Sequence, residues 1–100
     1  MGIQTGYNKS AVEAFCRKWK VAELSLFGSA LSDNFRPDSD VDVLVTFAPD
    51  ARRSLMDWAD MVDELEEIFG RPVDLVEKQG LRNPFRRKAI LDSAEVIHAA

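Results

Sequence analysis

The stretch Leu26–Phe47, LFGSALSDNFRPDSDVDVLVTF, decides how this chain is read. Its last seven residues, VDVLVTF, alternate with period 2. Val41, Val43, Val45 and Phe47 share one face, and Asp42, Leu44 and Thr46 share the other, as in a β-strand. Its first residues end another strand, ELSLFG, Glu23 to Gly28, in which Leu24 and Leu26 oppose Ser25 and Phe27. A polar connection with Asn34, Arg36 and Pro37 joins the two. The puzzle is the pair Asp40 and Asp42 at the mouth of the second strand. A carboxylate is costly to bury, and two side by side are worse.

Outward from this core the chain alternates helix and strand. Lys9 to Trp19 reads as a helix with Val12, Phe15 and Trp19 at helical spacing, and Asn8 or Ser10 as its cap. Pro49 and Asp50 mark a turn. A second helix opens at Ser54, with Asp57 in a capping-box position. Leu55, Trp58, Val62, Leu65 and Phe69 form its expected core stripe, its acids fall largely off that stripe, and Gly70 and Pro72 stop it. PVDLVE gives a third strand, with Asp74 and Val76 opposite Val73 and Leu75. A last helix opens near Asn83-Pro84 and carries Phe85, Ile90 and Leu91. The tail AEVIHAA reads as a short strand or as more helix.

One hundred residues suit a single domain, 1–100. At 46% hydrophobic and 30% charged, the composition is that of a globular protein. The net charge of −4 gives no general case for binding DNA or wrapping nucleic acid. The main basic cluster is RNPFRRK, Arg82 to Lys88, which reads as an exposed helix face, a triphosphate contact, or a surface for RNA or an acidic partner. A single cysteine, Cys16, makes no internal disulfide, so a cytoplasmic setting is expected. No apolar run approaches a membrane span, and the start, MGIQTG, fits neither a signal peptide nor a myristoylation signal.

Residues i and i+2 of a strand project from one face, roughly 6–7 Å apart. Asp40 and Asp42 therefore pair if the strand includes both. Asp74, out of phase with the apolar residues of its own strand, adds a third acid on the same side. Three hard oxygen donors select Mg²⁺ or Mn²⁺, and such a set can hold two ions for phosphoryl transfer. Gly28-Ser29 follows a strand directly, where glycine admits a close ligand and a serine hydroxyl with backbone N–H groups can hold phosphate. Taken alone, Asp40 reads as a turn acid, Gly28 as a strand terminator, and Asp74 as a solvated edge residue. Together they read as strand, phosphate loop and metal-binding strand. Cys16, Trp19 and Trp58 read as core, and His98 as a surface or edge residue.

Gly28-Ser29, then Asp40-Val41-Asp42, then Asp74 on a later strand resembles the nucleotidyltransferase superfamily related to DNA polymerase beta. The wording FGSA…RPDSDVDVLV is similar to its minimal nucleotidyltransferases, the MNT group. That resemblance implies an α/β (α+β) fold, a mixed sheet with helices packed on one face. It implies Asp40, Asp42 and Asp74 as catalytic ligands of two Mg²⁺ ions, with Asp74 also helping to deprotonate the acceptor. Gly28, Ser29 and, less directly, Arg36 would contact the nucleotide. The reaction implied is transfer of AMP from ATP to a hydroxyl, with loss of pyrophosphate. Many members of the group are antitoxins that attach AMP to a tyrosine of a HEPN-domain ribonuclease toxin, or bind it. Neutralisation by occlusion without catalysis, and transfer to a small molecule such as an aminoglycoside, are the other readings. The turn departs from many members, which often carry basic residues after Gly-Ser. Here it runs Ala30-Leu31-Ser32-Asp33 before Arg36.

Overall fold

The computed structural model describes residues 6–28, 40–52 and 54–99. Four strands form one sheet: β1 (Val21–Phe27), β2 (Val41–Phe47), β3 (Val73–Glu77) and β4 (Glu95–Ala99), in the order β3-β2-β1-β4. β1 runs antiparallel to both β2 and β4, while β2 and β3 are parallel, so the sheet is mixed. The helices are α1 (Lys9–Trp19), α2 (Leu55–Phe69) and α3 (Pro84–Ser93). The ambiguous tail thus resolves as a strand, because β1 offers it a free edge. β1 also begins at Val21, ahead of the alternation that announced it.

Local chemistry sets the helix ends. The Asn8 side chain accepts a hydrogen bond from the Ala11 N–H at 3.1 Å and starts α1. Ser54 and Asp57 form the full capping box of α2: the Asp57 N–H donates to Ser54 Oγ at 3.1 Å, and the Ser54 N–H donates to Asp57 Oδ2 at 2.9 Å. Gly70, at φ 69°, ends α2 in the left-handed conformation. Asn83 caps α3 by accepting from the N–H groups of Phe85 and Arg86, and Pro84 sits where its missing N–H costs nothing.

The main core lies between the sheet and α1 and α2. Val41, Val43 and Val45 meet Val12, Phe15, Met61 and Leu65 there, together with Leu24 and Leu26. α3 packs on the other face, where Phe27 and Leu44 of the alternate strand positions meet Leu81 and Ile90, so helices lie on both faces of the sheet and not on one as expected. The stripe expected on α2 is displaced at its start. Leu55 is 90% exposed, and Met61 is fully buried in its stead. The core reaches α2 only after its first residue, so helical spacing alone overextended the stripe. Trp19 and Trp58 are half-buried at the core's rim rather than inside it.

Two glutamates that read as solvent-facing act as fasteners. Glu64 accepts from Lys18 Nζ at 2.7 Å and from Trp19 Nε1 at 3.1 Å, tying α2 to the end of α1. Glu66 accepts from the Val73 N–H at 3.1 Å and so seats the first residue of β3. Cys16 is a core residue, as expected, and burial pushes its thiol pKa up to about 12.

Candidate active site

Strand direction brings three chain segments to one end of the sheet. β1 finishes where β2 and β3 begin. The Val41 N–H donates to the Pro72 carbonyl at 2.9 Å, which locks the two parallel strands together at their first residues. The register that follows pairs Val41 with Val73 and Asp42 with Asp74. Paired residues of neighbouring strands share a face, so Asp42 and Asp74 stand side by side, with backbones about 4.8 Å apart. On its other flank Asp42 pairs with Phe27 of β1. Asp40 lies two positions upstream, exposed, just before β2 starts.

This face differs from the one beneath α1 and α2 by a single step along each strand. Asp42 is half-buried and Asp74 exposed, while their neighbours Val43 and Leu75 are buried. Two carboxylates on adjacent strand positions repel one another, a repulsion that solvent screens because Asp74 is exposed. A cation between them reverses the sign of that interaction. The donor set is all carboxylate oxygen, which suits a hard divalent ion such as Mg²⁺ and not a zinc site. Among the described residues, no group of three His, Cys, Asp or Glu side chains is already drawn into an ion cage. Register fixes the Asp42–Asp74 pair, and Asp40 stands at its entrance.

Gly28 closes the third side. It adopts φ 65°, in the left-handed region, and a Cβ at this position would collide with the Asp42 carboxylate. The sequence reading placed Gly28, Asp40, Asp42 and Asp74 in one site, and the fold brings Gly28, Asp42 and Asp74 to one sheet end with Asp40 adjoining. Ser29 and Arg36, the other two nucleotide-contact candidates, lie outside the described residues, as does the Ala30–Asp33 turn. The basic cluster divides. Arg87 donates to the Lys78 carbonyl at 3.2 Å and Lys88 pairs with Asp92 at 2.8 Å, whereas Arg82, Phe85 and Arg86 are exposed.

A family model described as a nucleotidyltransferase domain matches residues 9–97. The chain belongs to the nucleotidyltransferase domain family. It is 36% identical to protein adenylyltransferase MntA of Thermococcus cleftensis over 81% of this chain and 76% of that one. A solved structure described as a candidate minimal nucleotidyltransferase is 33% identical, with a TM-score of 0.67, covering 87% of this chain and 86% of that chain. A complex of a tri-AMPylated Shewanella oneidensis HEPN toxin with an MNT antitoxin shares the fold at 16% identity and a TM-score of 0.63, over 92% of this chain and 70% of that chain. As a nucleotidyltransferase, the protein works on a nucleotide substrate. The expected mixed sheet is that of its family relatives. What sequence reasoning missed around the site is the Val41–Pro72 bond, a backbone contact that no side-chain pattern announces. No helix among the described residues is long and apolar enough to cross a membrane.

Proposed function

We propose that the protein is a Mg²⁺-dependent adenylyltransferase that moves AMP from ATP onto a hydroxyl of a partner protein, a tyrosine of a HEPN-type toxin, and so acts as an antitoxin. The observation that carries this reading is the Asp42–Asp74 register pair beside Gly28, at the end of the sheet where β1 finishes. Support for the acceptor comes from the adenylyltransferase relative and from the shared fold of the AMPylated toxin complex.

Asp40, Asp42 and Asp74 would hold the divalent ions, and Gly28, Ser29 and Arg36 would contact the nucleotide. The ions would neutralise the triphosphate and stabilise charge developing on the pyrophosphate leaving group. Asp74 is the outermost of the acids, on the edge strand, where an acceptor hydroxyl can reach it from solvent. In the proposed role it takes the hydroxyl proton as the oxygen attacks the α-phosphorus, and the bond to pyrophosphate breaks on the opposite side. The single unpaired thiol suits a reducing cytoplasm.

The test is transfer of label from α-labelled ATP to the partner in Mg²⁺. The wild type is expected to label one or more tyrosines, and Asp40→Ala/Asp42→Ala is expected to label none. Equal labelling by both proteins would remove the proposed active site. Full toxin neutralisation by the double variant, with no labelling by either protein, would replace catalysis by occlusion.

A further inference from the structure

Two glycines of this chain have nearly the same positive φ and opposite surroundings. Gly70 has φ 69° and nothing within 4 Å of where a Cβ would be, so glycine serves the α2 cap by conformation alone. Gly28 has φ 65°, yet a Cβ there would lie 3.3 Å from Asp42 Cγ and 3.6 Å from Asp42 Cβ, and would overlap Oδ2 outright. The volume that any other L-residue would fill is occupied by the Asp42 carboxylate.

From this contrast we infer that Gly28 is a positioning residue for Asp42. Its missing side chain lets the carboxylate lie across the end of β1. The role rests on the proposed reading of Asp42 as a metal ligand, but the steric relation itself does not. It also differs from the phosphate-loop reading, in which Gly28 is bare so that a ligand's phosphates can approach. Here the space is taken before any nucleotide arrives. The atom in the way is the tip of a flexible side chain, so a Cβ at position 28 is accommodated by moving the Asp42 carboxylate from its present place. A metal ligand displaced by its supporting contact weakens binding by about 10–100-fold.

Two substitutions separate shape from conformation. Gly28→Ala adds a Cβ and dislikes positive φ. Gly28→Asn adds the same Cβ but tolerates positive φ far better. Binding of Mn²⁺ alone, without nucleotide, is expected to fall by about 10–100-fold in both. If Gly28→Asn binds Mn²⁺ like the wild type, the positioning role is lost. The same holds if both variants keep Mn²⁺ affinity and lose only affinity for a non-hydrolysable ATP analogue, since that is the behaviour of a phosphate contact.

A metal-free measurement stands beside these. In denaturant unfolding, Asp42→Ala is expected to relieve part of the loss caused by Gly28→Ala, giving a double variant with a higher midpoint than the two single shifts predict. Strict additivity overturns the steric relation. Coupling together with a wild type that takes up no Mn²⁺ sinks both the metal reading and the positioning role, whereas Mn²⁺ uptake without AMP transfer leaves positioning intact and removes only the proposed reaction.

Discussion

On one face of β2, Val41, Val43 and Val45 are sealed from water beneath α1 and α2; on the other, the row begins with Asp42 and continues through Leu44 to Thr46. The two rows are offset by one residue on the same backbone, which is held between β1 and β3. The first row makes the sheet stable. The second uses that rigidity to hold Asp42 beside Asp74 despite their mutual repulsion. A period of 2 therefore lets one short strand bury one row beneath α1 and α2 and set Asp42 at the start of the other, where Leu44 packs in the smaller cluster with α3. It also makes the division testable, because substitutions on the two faces should move different observables.

The largest expected effects fall on opposite sides of this division. Leu65→Ala, in the main core beneath the sheet, should destabilise the fold by about 2–5 kcal/mol, read by denaturant unfolding. Loaded with metal and nucleotide below its melting range, it should still transfer AMP. Asp42→Ala should do the reverse: transfer falls by at least about 10²–10³-fold, while the variant keeps a cooperative unfolding transition because the buried row of β2 is untouched. Loss of both observables in either variant would collapse the distinction between the faces.

A smaller effect sharpens the packed side. Burial raises the Cys16 thiol pKa from 9.0 to about 12. The unfolded thiol releases its proton first, so the native state binds more protons through this window. The stability held below about pH 9 is therefore lost as pH climbs toward 12, by at most about 1.4 kcal/mol per pH unit. Cys16→Ala should flatten that slope, measured as the wild-type minus variant difference between pH 9 and 10.5. A Cys16 that reacts with iodoacetamide at native pH as fast as a free thiol would contradict its burial.

Smaller still is the capping box. Ser54→Ala should cost about 1 kcal/mol of stability with no change in Mn²⁺ affinity, since α2 begins beyond the far end of β2 from the acids. The Lys88–Asp92 pair on α3, fully exposed, should matter least. Lys88→Ala is expected to shift the unfolding midpoint within error, even though the carboxylate of Asp92 raises the Lys88 pKa.

Much of this was legible in the chain itself. The Ser54 and Gly70 ends of α2, the limits of α1 and the face assignments of β1, β2 and β3 follow from short-range rules. Where the sequence reading slipped, long-range geometry was responsible. Leu55 has the right spacing and the wrong height on α2. Glu64 and Glu66 look like ordinary solvated acids until α1 and β3 arrive beside them. Phe85, a large apolar residue in a helix, is left 85% exposed because α3 offers the sheet only its Ile90 side.

By itself the sequence determined which residues alternate, where helices start and stop, and which acids fall out of phase with their apolar neighbours. Those are properties of a few consecutive residues, fixed by backbone period and capping chemistry. Only the tertiary structure decided that β3 runs parallel to β2 with Asp74 level with Asp42, and that the Asp42 carboxylate fills the space Gly28 leaves open. Register between strands far apart in the chain is set by backbone hydrogen bonding and by the joint packing of α2 and the sheet, and no local pattern encodes it.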